Sequence, residues 1–355
     1  MKKLLSLALA LLLCLTLFGC SEGPASSGAL SSSGPASLTP ESSAPASGSP
    51  ASSAGDPGSA NVAALKGPTA MGMVKLMADQ EAAAEPHFTF TIAASADEIT
   101  PKLIQGELDI AAVPANLASV LYNNTEGKLQ VLAINTLGVL YLVESGDTVH
   151  SVEDLREKTI YSSGKGSTPE YALSYLLSQN GIDPEQDVSI QWKSEHSECV
   201  AALAAEENAI AMLPQPFVTT AQAKNEGIRV ALDLNEEWEK LSSEGDQKAT
   251  LITGVVVARK EFTEEHPALV QQFLKEYEAS VDYVNSDTEG AAALVGSYDI
   301  VPEAVAKKAL PECNITFVAG AELKEKLSGY LQVLFDQNPK AIGGKLPGDD
   351  FYYGG

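Results

Sequence analysis

Cysteine is scarce in this chain: four in 355 residues, Cys14, Cys20, Cys199 and Cys313. No Cys-x-x-Cys pair occurs, and His87, His150, His196 and His266 are scattered, so the spacings that build a zinc site are missing. We expect no metal and no cofactor. Cys199 falls in a helical pattern and Cys313 beside a strand, and both read as buried free thiols, with a disulfide as the alternative. Positive charge is scarce too. Lys and Arg number 23 against 47 Asp and Glu, for a net charge of −24. That excludes nucleic acid and anionic lipid, which both need clustered basic residues, and it offers no long-range steering to an anion. There is no Gly-x-Ser-x-Gly elbow and no complete Gly-x-x-x-x-Gly-Lys-Ser/Thr loop; Gly164-Lys165-Gly166-Ser167 is only a fragment of the latter. Paired carboxylates such as Glu206-Glu207 and Glu236-Glu237 read as solvated helix faces, so catalysis finds no constellation to rest on. The apolar run from Leu4 to Phe18 is shorter than the ~20 residues that span a bilayer.

What is present begins with Cys20. Lys2 and Lys3 precede the apolar run, and Gly19 stands just before the cysteine, in the order of a signal peptide: charged region, apolar region, small residue at the cut. Leu17-Phe18-Gly19-Cys20 resembles the lipobox of bacterial lipoproteins. The resemblance implies cleavage of residues 1–19 and lipidation of Cys20. It also implies an anchor on the outer face of the bacterial cytoplasmic membrane. Residues 20–60 that follow are nearly all Ser, Ala, Gly and Pro, with no aromatic residue. Such a segment buries too little to offset its ordering entropy and reads as a flexible stalk. Its r.m.s. reach is on the order of 35 Å.

The remaining residues are too many for one compact core and suit two lobes. Short β-rich runs alternate with helical patterns, which argues an α/β fold with largely parallel strands. Strands are expected at 62–65, 88–93, 109–113, 131–134 and 139–143. They are expected again at 160, 188–192, 210–213 and 229–232. Helices are expected from Thr69 to about Ala83, from Asn116 to about Asn123, from Pro169 to Asn180, over 197–206, and from Phe217 to Gly227. Ser95 and Glu98 have capping-box spacing for a helix that ends at Gly106. Thr168 is the expected N-cap of the helix that Pro169 opens.

Two stretches repeat one pattern. Ile110-Ala111-Ala112-Val113-Pro114 aligns with Ile210-Ala211-Met212-Leu213-Pro214 at an offset of 100, and Pro68 with Pro169 at 101. In each half a strand feeds a helix with Pro in its first turn, and a later strand ends at a Pro before another helix. We therefore expect two lobes of like topology, residues 61–137 plus 251–355 and residues 138–250. The crossings, and so the hinge, are expected near Leu137-Gly138 and near 250–254. A helix over 264–284, with Leu269, Phe273, Tyr277, Val281 and Val284 on one face, is expected to pack on lobe one.

Ligands of open α/β sheets sit beyond the carboxyl ends of the strands, where helix N-termini favour oxygen-rich or anionic groups. Four loops should converge there. Lobe one supplies Gly67, Pro68, Thr69, Ala70 and Met71, and Pro114, Ala115 and Asn116. Lobe two supplies Ser167, Thr168 and Pro169, and Gln215, Pro216 and Phe217. Thr69, Asn116, Ser167, Thr168 and Gln215 could donate hydrogen bonds, and Met71 and Phe217 could pack on a flat or apolar part. Thr168 and Asn116 could equally be caps, and Phe217 core. Ser194-Glu195-His196 lies at another strand-to-helix turn that could reach the cleft.

Leu65-Lys66-Gly67-Pro68-Thr69-Ala70-Met71-Gly72 and the run from Gly106 to Ala118, behind a lipoprotein leader and stalk, resemble the nitrate/sulfonate/taurine-type solute-binding proteins of ABC importers. That group includes binding proteins for thiamine pyrimidine precursors. The resemblance implies a type II periplasmic-binding fold with two crossing strands as hinge, closing as a monomer on a small polar or heteroaromatic solute for delivery to a membrane permease. A surface sensor or adhesin on the same fold is the alternative. No Arg stands in any of the four loops, so an anion would rest on helix N-termini, hydroxyls and Lys165.

Overall fold

The computed structural model describes residues 58–244 and 249–354; the leader, Cys20 and most of the stalk lie outside them. Eleven strands are described in chain order: β1 (Ala60–Leu65), β2 (Phe88–Ala93), β3 (Ile110–Pro114), β4 (Leu129–Leu137), β5 (Leu140–Glu144), β6 (Thr159–Ser163), β7 (Ser189–Lys193), β8 (Ile210–Pro214), β9 (Arg229–Asp233), β10 (Ile252–Arg259) and β11 (Ile315–Val318). They form two sheets, ordered β11-β4-β10-β3-β1-β2 and β7-β6-β8-β5-β9. In the first, β1 runs parallel to β2 and β3, while β10 is antiparallel to β3 and β4. In the second, β6 runs parallel to β7 and β8, while β5 is antiparallel to β8 and β9. The fold is the mixed α/β, two-lobed type with a cleft between the sheets.

Alternation along the strands sorts the core. In the first sheet Val62, Ala64, Ile110, Ala112 and Val256 face one apolar layer with Phe273, Tyr277 and Val281. Ala63, Ala111, Val113, Val255 and Val257 face a second layer with Leu327, Tyr330 and Leu331. Both faces are covered, which is why β3 reads as an unbroken apolar run rather than an alternating one. The second layer continues under the second sheet through Leu142, Ile160, Ile210 and Met212. Helix Gly320–Gln337 joins the two, with Tyr330 5.7 Å from the ring of buried Trp238. Burying each such large side chain contributes about 1.5–3 kcal/mol.

Local structure departs from the sequence reading in several places. The helix expected over 69–83 is two, Pro68–Met71 and Val74–Ala82, separated by Gly72-Met73. A Cβ at Gly72 would press on Ile315 and Tyr277, so the break lets the chain pass close to the core. The helix expected over 264–284 is likewise two, Lys260–Glu265 and Pro267–Ser286, split before the helix-opening Pro267. Its five stripe residues are all buried in the first sheet's core. The N-cap of helix Thr168–Gln179 is Ser167, not Thr168. Ala60 belongs to β1, paired with Phe88, rather than to the stalk. Cys199 and Cys313 are both buried and free.

The chain passes between the sheets at 137–140 and again before β10. Gly138 is required at the first crossing, because a Cβ there would collide with the Asn235 side chain. The crossings are tied together: Thr253 Oγ1 donates to the Leu137 carbonyl at 2.5 Å, and Asn314 Nδ2 donates to that of Gly138. Each sheet also holds one buried carboxylate at the end away from the cleft. Arg259 donates to Asp109 at 2.7 Å, and Arg229 to Glu144 at 2.7 Å. Burial alone would raise the Glu144 carboxyl. Hydrogen bonds from the hydroxyl and N–H of Thr148 and the N–H of Val149, with the Arg229 charge, overcome it and hold the group below its usual value.

Candidate functional site

The carboxyl ends of six strands, three from each sheet, open into one cavity of about 480 Å³. β1, β2 and β3 contribute from one side, through Lys66–Thr69, Ala94–Asp97 and Pro114. β6, β7 and β8 contribute from the other, through Ser163–Ser167 with Pro169, Ser194–His196 with Lys193, and Pro214. Thr136, Val139, Leu140 and Thr253 close the cavity at the crossings.

Each turn is built locally. Gly67 adopts φ 143°, a conformation closed to other residues, and so starts the helix abruptly after β1. Thr69 Oγ1 donates back to the Leu65 carbonyl at 2.8 Å, which leaves its lone pairs for the cleft. Ser95 and Glu98 form the anticipated capping box. Gly164 and Gly166, at φ 79° and 78°, bend the loop so that Lys165 stands exposed on the cavity wall. Gly166 N–H donates to Glu170, and Ser167 N–H to the Gly164 carbonyl, so these two amides are spent within the loop.

The most developed polar group is the pair Ser163 and His196. Ser163 Oγ lies 2.6 Å from His196 Nδ1, and the hydroxyl is buried. That ring nitrogen is the hydroxyl's one hydrogen-bond partner among the described residues. A buried hydroxyl proton without an acceptor costs about 1–3 kcal/mol. The satisfied arrangement therefore has Ser163 donating to Nδ1, and the neutral ring then carries its proton on Nε2. Burial pushes the imidazole down to about 4, so it is neutral near pH 7. The N-terminus of helix His196–Ala205 also disfavours its charged form. Among the described residues Nε2 has no hydrogen-bond partner, and His196 is half-buried on the cavity wall. Phe217 backs the ring at 4.9 Å.

Three cations and two carboxylates also line the cavity: Lys66, Lys165 and Lys193, with Asp97 and Glu195. Lys193 lies 5.1 Å from the Tyr161 ring, and Lys66 makes a long contact of 3.8 Å with exposed Asp299. Lys165 has no ion pair among the described residues.

The expected contact residues separate into two groups. Gly67, Pro68, Thr69, Pro114, Ser167 and Pro169 line the cavity. Ala70, Met71 and Ala115 are fully buried in the core. Asn116 is also fully buried: its Nδ2 donates to the Ala341 carbonyl at 2.9 Å and the Gly166 carbonyl at 3.4 Å, and its Oδ1 accepts from Thr168 Oγ1 at 3.2 Å. Asn116 and Thr168 thus face each other across the lobes instead of the cleft. Gln215 Oε1 accepts from the N–H and hydroxyl of Thr219, closing its own helix, and Pro216 and Phe217 stand behind the wall. The expected crossing residues Leu137 and Gly138 sit between β4 and β5. Reading the sequence missed Lys66, Ala94–Asp97, Ser163, Lys193 and Thr253. The turn after β2 could have been found, since Ala94-Ser95-Ala96 stands 100 residues before Ser194-Glu195-His196.

Solved structures share this architecture. An ABC transporter protein from Parabacteroides distasonis superimposes with a TM-score of 0.68 at 23% identity, over 83% of this chain and 98% of that one. The alkanesulfonate-binding protein SsuA from Xanthomonas axonopodis pv. citri, bound to MOPS, gives 0.65 at 16% identity, over 83% and 96%. The periplasmic nitrate-binding protein NrtA from Synechocystis PCC 6803 gives 0.54 at 14% identity, over 70% and 68%. At these identities the likeness is one of fold. No curated protein matches the sequence. No helix among the described residues is long and apolar enough to cross a membrane. Residues 69–302, well over half of the chain, match the family described as ABC transporter, phosphonate, periplasmic substrate-binding protein, and the chain belongs to that family of solute-binding proteins, which are not enzymes.

Proposed function

We propose that this protein captures a small organic oxyanion of the phosphonate or sulfonate kind in its interlobe cleft and delivers it, unaltered, to an ABC importer permease. The observation that carries this reading is the convergence of six strand ends on one cavity lined by Lys66, Lys165, Lys193 and the neutral His196. Helix N-termini, ammonium groups and an Nε2–H donor all favour a negatively charged acceptor. A flat heteroaromatic solute is less well served, because His196 is the only aromatic ring on the cavity wall among the described residues.

In this reading the lobes are residues 60–137 plus 251–355 and residues 138–250, and closure turns about Leu137-Gly138 and the start of β10. Cys20 is lipidated and the stalk lets a monomeric body reach its permease. Replacing Cys20 by Ser should release the protein from the membrane fraction; retention equal to the parent would overturn the anchor. For the solute, melting temperature should rise with a phosphonate or sulfonate from a small-nutrient library, by an amount set by RT ln(1 + [L]/Kd). Shifts confined to uncharged pyrimidines would overturn the oxyanion. Recovery of a chemically altered solute would overturn simple carriage.

A further inference from the structure

Asn116 stands where three parts of the chain meet. It is the second residue of helix Ala115–Asn124, which follows β3, and it is fully buried. Its Nδ2 donates to the Ala341 carbonyl of the C-terminal segment and to the Gly166 carbonyl, and its Oδ1 accepts from Thr168 Oγ1. Gly166 and Thr168 follow β6, in the second sheet. Thr168 is buried too, and Tyr330 of helix Gly320–Gln337 lies beside it. Two of the three bonds therefore cross from the first sheet to the second, away from the crossing strands themselves. A buried amide or hydroxyl keeps such partners because losing them exposes its desolvation cost. The other tie of this kind is longer and single: Tyr141 of β5 donates to the Glu312 carbonyl at 3.4 Å.

The same side chain reaches the loop on the cavity wall. Gly164 and Gly166 bend that loop at positive φ, and exposed Lys165 stands between them. The Gly166 carbonyl is held from the first sheet by Asn116. The shape of the loop thus depends on how far apart the two sheets are.

We propose that the Asn116 junction is a lock: it holds the two lobes at the separation described, and it fixes the Lys165 loop only while they stay there. Opening about Leu137-Gly138 must break both cross-sheet bonds, each of which biases the equilibrium by roughly twofold to tenfold. The chain itself thereby supplies part of the population shift that a solute would otherwise have to drive. The lock rests on the hinge proposed above and not on which solute enters.

Spin labels on Lys102→Cys and Ala201→Cys, exposed positions in the helices after β2 and β7, report the separation by pulsed electron resonance. Cys14 and Cys20 are replaced by Ser for this measurement, and buried Cys199 and Cys313 are kept. With no solute added, the parent should give one main distance. Asn116→Ala removes both cross-sheet bonds and should raise the share of longer distances about tenfold. Thr168→Val removes one and should raise it about threefold, while Thr168→Ser keeps the hydroxyl and should match the parent. Tyr141→Phe should change the share by less than about twofold. Hydrogen exchange in Asn116→Ala should quicken over residues 164–167 while β4 and β10 keep the parent's protection, a pattern that general loosening does not give. Parent-like distances in both Asn116→Ala and Thr168→Val would overturn the lock, as would exchange that quickens throughout the chain. Gly138→Ala tests the hinge separately, since the added Cβ would collide with Asn235 at the crossing and should shift the distance. A shift there with none in the junction variants overturns the lock alone. No shift in any variant overturns the hinge with it.

Discussion

The turns after β2 and β7 are one device used twice. They lie 100 residues apart, Ser95 opposite Glu195 and Glu98 opposite Glu198. In both, the later Glu reaches back to a turn amide: Glu98 accepts from Ala94 and Ser95, and Glu198 from Ser194. The first turn completes a capping box. The second has Glu195 at the cap, with no side-chain cap bond. It also carries His196 where the first has Ala96, and Lys193 where the first has Ala93. One turn is finished for stability, and its counterpart gives up half its cap and presents ring and ammonium groups to the cleft. Both turns line the cavity, so like topology fixes where a turn sits, and a few residues decide what it presents there.

That contrast can be pressed hardest at the buried carboxylates. Removing either takes away its arginine's buried partner and leaves only an exposed one, Glu261 for Arg259 and Asp147 for Arg229, which costs about 2–3 kcal/mol. Glu144→Ala should cost more than Asp109→Ala, because the Glu144 side chain is wholly buried while that of Asp109 is 13% exposed. Denaturant midpoints of the two variants decide it, and equal losses would erase the difference. The pH dependence has a definite sign. The folded Glu144 carboxyl is held below its ordinary 4.5, so its contribution is present above that value and is lost as pH falls through the folded one. The acid-side slope should therefore flatten in Glu144→Gln.

The next contrast is Asn116 against Gln215, the polar residues that follow the two Pro-ended strands. Asn116→Ala strips partners from the Ala341 carbonyl and from Thr168, both on different parts of the chain, and should cost about 2–3 kcal/mol. Gln215→Ala loses only bonds within its own first turn and should cost about 0.5–1.5 kcal/mol. Thermal unfolding of both variants would reverse the assignment if Gln215 proved the costlier.

His196 gives a smaller, pH-dependent effect. Its folded value of about 4 lies below the ordinary 6.5, so the unfolded chain binds the extra proton first. Stability should fall as pH drops from 6.5 toward 4, by about 1 kcal/mol at pH 5 once partial exposure is allowed for. His196→Gln should remove that slope, and an unchanged slope would place the titration elsewhere. The smallest effects sit at the two caps. Ser95→Ala should cost about 1 kcal/mol, and Glu195→Ser should stabilise by less than about 1 kcal/mol as it completes the second box. A loss on Glu195→Ser, measured by melting, would mean that the two turns are not equivalent.

Sequence by itself determined the class of fold and much of its order. The apolar runs at 110–113 and 210–213, the prolines that end them and the repeated offset are local features, and they act through backbone geometry within a few residues. The capping box at Ser95, the loops at Gly67 and Ser167 and the stripe from Leu269 to Val284 were legible for the same reason. Tertiary structure alone decided which polar groups face the cleft. Asn116, Thr168 and Gln215 carry the same donors wherever they sit, but a buried amide or hydroxyl takes the nearest partner that spares it desolvation. For Asn116 and Thr168 those partners lie 52 and 225 residues away, on the other lobe and the C-terminal segment. Ser163 and His196, 33 residues apart, meet for the opposite reason: β6 and β7 are adjacent and parallel, so the ends of the two strands come side by side. Pairing across a sheet and packing between lobes are set by the whole chain, and no local pattern carries them.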